Sequence, residues 1–160
     1  MANAKAAADS DDRIKLIARN KRATFDYVVE KTLEAGLELL GSEVKSLREG
    51  QANLADSYAI PKDGQLYLLN AHVGPYRPSS VFSHSPTRTR RLLMHRGEID
   101  DWAAKVNERG YSIIPLTLYF KKGLVKVQLG LARGKTHEDR RAAIKEREMQ
   151  REIDRALRRR

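Results

Sequence analysis

Residues 116–131 read Leu116-Thr117-Leu118-Tyr119-Phe120-Lys121-Lys122-Gly123-Leu124-Val125-Lys126-Val127-Gln128-Leu129-Gly130-Leu131. Leu116, Leu118 and Phe120 alternate with Thr117 and Tyr119, and Val125, Val127, Leu129 and Leu131 alternate with Lys126, Gln128 and Gly130. A period of two sends successive side chains to opposite faces of a strand. Lys121-Lys122-Gly123 supplies the turn between the two runs, with Gly where a positive φ is wanted. One face of this hairpin is apolar and the other polar, so its strands are antiparallel and half-buried.

The rest of the chain is read outward from this hairpin. Glu98 to Arg109 predicts a helix, because Ile99, Trp102, Ala103 and Val106 share a face and Gly110 stops it. Residues 56–61 and 65–73 predict two strands around the turn Pro61-Lys62-Asp63-Gly64. Leu40 to Glu49 reads as a short helix with Leu40, Val44 and Leu47 on one face, Ser42 as its cap and Gly50 as its end. Phe25 to Glu34 is rich in aromatic and β-branched residues and reads as a strand, broken or bulged at Ala35-Gly36. Residues 13–23 are basic and mixed, and residues 74–87, with three prolines, read as a long loop.

Several short strands, two helices and no βαβ rhythm imply a mainly β, α+β architecture: a small antiparallel oligonucleotide-binding-like barrel with flanking helices. The expected organisation is a disordered N-terminal arm over 1–13, a barrel domain over 14–132 and a basic C-terminal tail over 133–160.

Charge narrows the partners. The 160 residues carry a net charge of +10, and hydrophobic residues make up 41%, enough for a modest core. Residues 133–160 contain eleven Lys or Arg against six Asp or Glu, a net +5, so half of the charge lies in the tail. Such a distribution points to polyanions. There is no cysteine, which excludes disulfides, thiolate catalysis and Cys-ligated zinc and fits a reducing cytoplasm. No apolar run approaches the ~18 residues of a membrane span.

The tail has too little apolar surface for a core of its own, yet its period is helical. At about 100° per residue, Arg140, Arg147, Arg151, Arg155 and Arg158 form one stripe, opposite Ala142, Met149, Ile153, Ala156 and Leu157. Like charges spaced i, i+4 repel, so the helix is expected to be marginal alone and favoured along a polyanion.

Three basic or mixed constellations suit nucleic acid. Arg88-Thr89-Arg90-Arg91 combines paired guanidinium donors with a hydroxyl, as phosphate contact requires, or forms a solvated loop leading into a helix. Asn20-Lys21-Arg22 offers an amide for a base edge or a 2′-hydroxyl, or holds a turn. Glu34 can accept from base amino groups, while Lys45 and Arg48 point away from the Val44–Leu47 face. His72, His84, His95 and His137 lack metal-ligand spacing, and no catalytic motif, metal site or cofactor-binding signature is expected.

Several anchors occur together in order: Asn20-Lys21-Arg22-Ala23, Glu34-Ala35-Gly36-Leu37, Glu43-Val44-Lys45-Ser46-Leu47-Arg48, Asp56-Ser57-Tyr58, Pro86-Thr87-Arg88-Thr89-Arg90-Arg91-Leu92-Leu93 and Gly130-Leu131-Ala132-Arg133-Gly134-Lys135. Over about Ile17 to Gln150 this set resembles the small protein B family, the SsrA-binding proteins. The resemblance implies a barrel that binds the tRNA-like end of transfer-messenger RNA in place of an anticodon arm. It also implies delivery of that RNA to stalled ribosomes, by a non-catalytic, monomeric cytoplasmic adaptor whose tail becomes helical in the empty messenger channel, against small-subunit ribosomal RNA. A general basic nucleic-acid-binding or ribosome-assembly protein is the alternative. Asn20, Glu34 and Leu93 match positions tied to RNA binding in the family, and Gly134, Lys135, Asp139, Arg140 and Arg141 match its ribosome-engaging tail motif. With His137, Lys145, Arg147 and Arg151 these make the expected tail site. The family's Asp-Lys-Arg motif usually follows an aromatic or His; here Glu138 stands there, and Met149 replaces a frequent Trp.

Overall fold

The computed structural model describes residues 13–76, 84–108, 110–134 and 137–158, with side chains left undescribed at 137–140. The arm expected over 1–13 therefore lies outside the described residues except for Arg13. Nine strands and four helices are described: β1 Lys15–Arg19, α1 Ala23–Asp26, β2 Tyr27–Leu37, α2 Gly41–Arg48, β3 Ala52–Asn53, β4 Tyr58–Lys62, β5 Gln65–Leu69, β6 His72–Val73, β7 Arg90–Leu93, α3 Arg96–Asn107, β8 Tyr111–Lys121, β9 Leu124–Gly134 and α4 His137–Arg158.

The opening hairpin is β8–β9. Lys122 and Gly123 have φ of 52° and 74°, the pair of left-handed residues that a two-residue turn needs to match strand twist. Asp63-Gly64 repeats the device between β4 and β5, with φ of 51° and 74°. The large sheet runs β1-β8-β4-β5-β7-β2-β9, and the β8–β9 pairing closes the strands from β8 to β9 into a ring, with β1 attached at β8. All the pairings are antiparallel. The ring is uneven, since β8 shares one edge between β4, at Ala59–Ile113, and β1, from Thr117 to Phe120.

The apolar positions of the alternating pattern fill the interior. Leu66, Leu68, Leu92, Ile113, Val127, Leu129 and Leu131 are buried together, with Leu47 of α2 and Ile99 and Trp102 of α3 packed against them. Several expectations are corrected. Phe25 lies in the short helix α1, and the strand after it runs through Ala35-Gly36 to Leu37; its irregularity falls between Val29 and Lys31. Residues 65–73 split, because Asn70 adopts φ 61° and His72–Val73 pair with Ala52–Asn53 in a second sheet. Ser42 does not cap α2: its hydroxyl meets His84 Nδ1 at 2.9 Å, and Glu43 instead accepts from the Leu40 N–H at 2.9 Å. The basic segment 13–23 contains a strand, β1.

Candidate nucleic-acid interface

The period-two rule selects the outer face across β7, β2 and β9. Arg90 and Leu92 of β7 are buried, so Arg91 and Leu93 point outward. In register with them, Gly36 lies opposite both Leu93 and Lys126, and Glu34 lies opposite Gln128. Leu93 is 47% exposed. Its Cβ sits 3.2 Å from where a Cβ on residue 36 would stand, so a larger residue there would have to push Leu93 aside. Glu34, Leu93, Met94, His95, Glu98 and Lys126 surround one shallow cavity of 430 Å³.

Glu34 is held as a carboxylate there. A hydrogen bond from the Tyr119 hydroxyl pulls its pKa down; burial opposes this, and Lys121 and Lys126 add to it. Burial and the same carboxylate push the Tyr119 phenol up. The face thus combines an oriented acceptor, an exposed leucine and an ammonium. These can meet a base amino group, a sugar or base surface, and a phosphate respectively.

The arginine run divides in two. Arg90 is 1% exposed: Nε donates to Glu43, Nη1 to Ala71 O at 2.8 Å and Arg88 O at 3.0 Å, and Nη2 to Pro86 O at 3.2 Å. Its guanidinium is consumed inside the barrel, so the expected phosphate contact at Arg90 has no surface group to make it. Glu43 is fully buried and also accepts from Arg88 Nη2 at 2.6 Å. Burial pushes its pKa up, but Arg88, the Leu40 N–H and Arg90 outweigh that and hold the carboxyl low. Arg88 and Arg91 keep surface exposure, and Arg91 pairs with Glu38 at 2.8 Å.

Asn20 is braced by β8. It is 8% exposed, its N–H donates to Leu116 O at 2.8 Å, and its Nδ2 donates to Pro115 O at 3.0 Å. Those carbonyls flank the register shift between Pro115 and Thr117, where the proline removes a ladder donor. Lys21 and Arg22 beside it are exposed. On α2, Lys45 and Arg48 are exposed, with Lys45 Nζ 5.4 Å from the Tyr76 ring centre.

The tail leaves the barrel at Gly134, which pairs with Tyr27 at the end of β9. Lys135 lies outside the described residues, as do the side chains of His137, Asp139 and Arg140. Arg141, Lys145, Arg147 and Arg151 are exposed along α4, and the Arg147 guanidinium sits 5.2 Å from the Phe25 ring centre on α1. Met149, Ile153 and Leu157, expected opposite the arginine stripe, are 56%, 50% and 67% exposed.

Sequence reasoning missed Lys126 and Tyr119, because both read only as the polar or alternate partners in a hairpin pattern. The register Gly36–Lys126 and the Tyr119–Glu34 hydrogen bond are what bring them to the site. Among the described residues no cluster of three His, Cys, Asp or Glu could hold a metal, and no helix is long and apolar enough to cross a membrane.

Fold, charge and outer face define a class: a small β-barrel protein of the RNA-binding kind, with an appended basic helix. The family model described as SmpB protein matches residues 17–159, and the chain belongs to that family. It is 66% identical over 151 residues to the SsrA-binding protein of Myxococcus xanthus (strain DK1622), covering 94% of this chain and 93% of that one. It is 49% identical over 146 residues to the SsrA-binding protein of Geobacillus kaustophilus (strain HTA426), covering 91% and 94%. Among solved structures, one described as "tmRNA-SmpB: a journey to the center of the bacterial ribosome" is similar with a TM-score of 0.65 and 42% identity. That match covers 79% of this chain and 93% of the other.

Proposed function

We propose that this protein is a non-catalytic RNA-binding adaptor of ribosome rescue. Its barrel binds the tRNA-like domain of transfer-messenger RNA in place of an anticodon arm, and its tail engages the small subunit along the vacant messenger channel. It works in the cytoplasm as a monomer. The reading is carried by one observation: in a member of the SmpB family, the register of β7, β2 and β9 gathers Leu93, Glu34 and Lys126 on one outer face.

Each group has a distinct task there. The Glu34 carboxylate, oriented by Tyr119, accepts from base amino groups. Leu93 packs against an unstacked base or a ribose, and Lys126, Arg88 and Arg91 supply the charge that phosphates require. Arg141, Lys145, Arg147 and Arg151 extend that charge along α4 to ribosomal RNA.

The test is competition binding with labelled tRNA-like-domain RNA. Leu93→Asp places a charge on the exposed face without touching the core. It is expected to weaken binding by at least ten-fold, while excess bulk tRNA and duplex DNA compete poorly against the unmodified protein. Equal competition by all three nucleic acids, with Leu93→Asp binding normally, would mean a general basic nucleic-acid binder instead.

A further inference from the structure

Where α4 passes α1, a cleft of 730 Å³ separates the tail helix from the barrel. Arg19 and Lys21 form its barrel wall, Arg147 and Arg151 its helix wall, and Val29 and Leu116 its apolar floor with Thr117 and Gln128 beside them. No Asp or Glu is among the described residues that line it. Four exposed cations facing one another across a cleft with no carboxylate in its described lining make its potential positive, so an anion between them is attracted to both walls.

Two contacts pre-set the cleft. The Phe25 ring stacks under the Arg147 guanidinium at 5.2 Å, which holds the helix wall against α1. Thr117 Oγ1 donates to Gln128 Oε1 at 3.3 Å, so the Gln128 amide presents its NH₂ as a donor.

We propose that this cleft is one binding site for a single RNA strand, shared by barrel and tail. Phosphates lie against the two cationic walls and base faces cover Val29 and Leu116. The apolar floor selects a single strand, because a duplex hides its base faces in the stack. This inference rests on the proposed RNA-binding function but uses residues separate from the Leu93 face. It makes the tail a wall of a composite site in addition to its ribosome-engaging role.

The measurement is binding of a short fluorescent single-stranded oligoribonucleotide to the full chain across a salt series. Single-strand binding loses about 0.7 in log–log salt slope per phosphate contact removed. In a shared cleft, Arg19→Gln with Lys21→Gln leaves the strand without one wall and frees it from the other. The same holds for Arg147→Gln with Arg151→Gln. Each pair is therefore expected to lower the slope by clearly more than the ~1.4 of two independent contacts, and all four substitutions together by little more than either pair. Phe25→Leu, which changes no charge, is expected to weaken binding about three-fold. Additive slopes, a helix-wall pair without effect, or equal affinity for a blunt RNA duplex would each overturn the proposal. Leu93→Asp distinguishes this from failure of the functional reading: it should lose the tRNA-like-domain RNA and keep the oligoribonucleotide.

Discussion

The chain has two arginine-rich stretches, residues 88–91 and 147–158, and the fold uses them in opposite ways. In the first, a strand alternates its side chains, so Arg90 points into the barrel and meets the fully buried Glu43. In the second, a helix that meets the rest of the fold where Arg147 lies over Phe25 presents Arg147, Arg151, Arg155 and Arg158 along an exposed stripe. An arginine inside the barrel must be matched locally, because an unpaired buried charge is very costly. One on the tail helix is solvated and stays available to a polyanion. The same residue type is thus a brace in one place and a ligand-facing group in the other, decided by the period of its element and by what packs against it.

This contrast breaks most visibly at Glu43. Glu43→Ala strands Arg90 in the interior, and urea unfolding should show a loss of about 3–5 kcal/mol. Glu43→Leu combined with Arg90→Met should recover most of it, since a buried pair replaced by apolar groups is often neutral. Acid sharpens the same point. Glu43 has its folded pKa depressed, so its contribution is full above the unfolded carboxylate pKa and is lost as pH falls through the folded value. Stability measured below the ordinary carboxylate range should therefore fall more steeply in the unmodified protein than in Glu43→Gln. The tail gives the smallest effects. Arg147→Ala should cost about 0.5–1 kcal/mol through the Phe25 contact. Arg151→Ala should change stability by less than about 0.5 kcal/mol.

The β8–β9 hairpin was legible in the sequence because its turn residues have one good use and its alternation holds from Leu118 to Leu129; the register shift between Pro115 and Thr117 takes Leu116, expected beside Leu118, to the opposite side with Val29 and Ile114. β1 was not: Leu16 and Ile17 stand among charges in a strand paired only to β8. Phe25 suits a strand by propensity, yet the chain turns through Ala23–Asp26 before β2 begins. The candidate site was half legible. Glu34 and Leu93 carried the family pattern, whereas Lys126 joins them through cross-strand register, which no local pattern encodes. Arg90 illustrates the reverse: a residue type suited to RNA is spent on Glu43, and burial is not written in residue type.

The central claim, a barrel that holds the RNA and a tail that engages the ribosome, is tested most directly by measuring transfer-messenger RNA affinity and peptide tagging side by side. Two variants suffice, Leu93→Asp and the pair Arg140→Ala with Arg141→Ala. The account predicts that Leu93→Asp loses both readouts, while the tail pair binds free RNA within about three-fold of normal and abolishes tagging. Parallel loss of binding in both variants, or normal tagging by the tail pair, would contradict it.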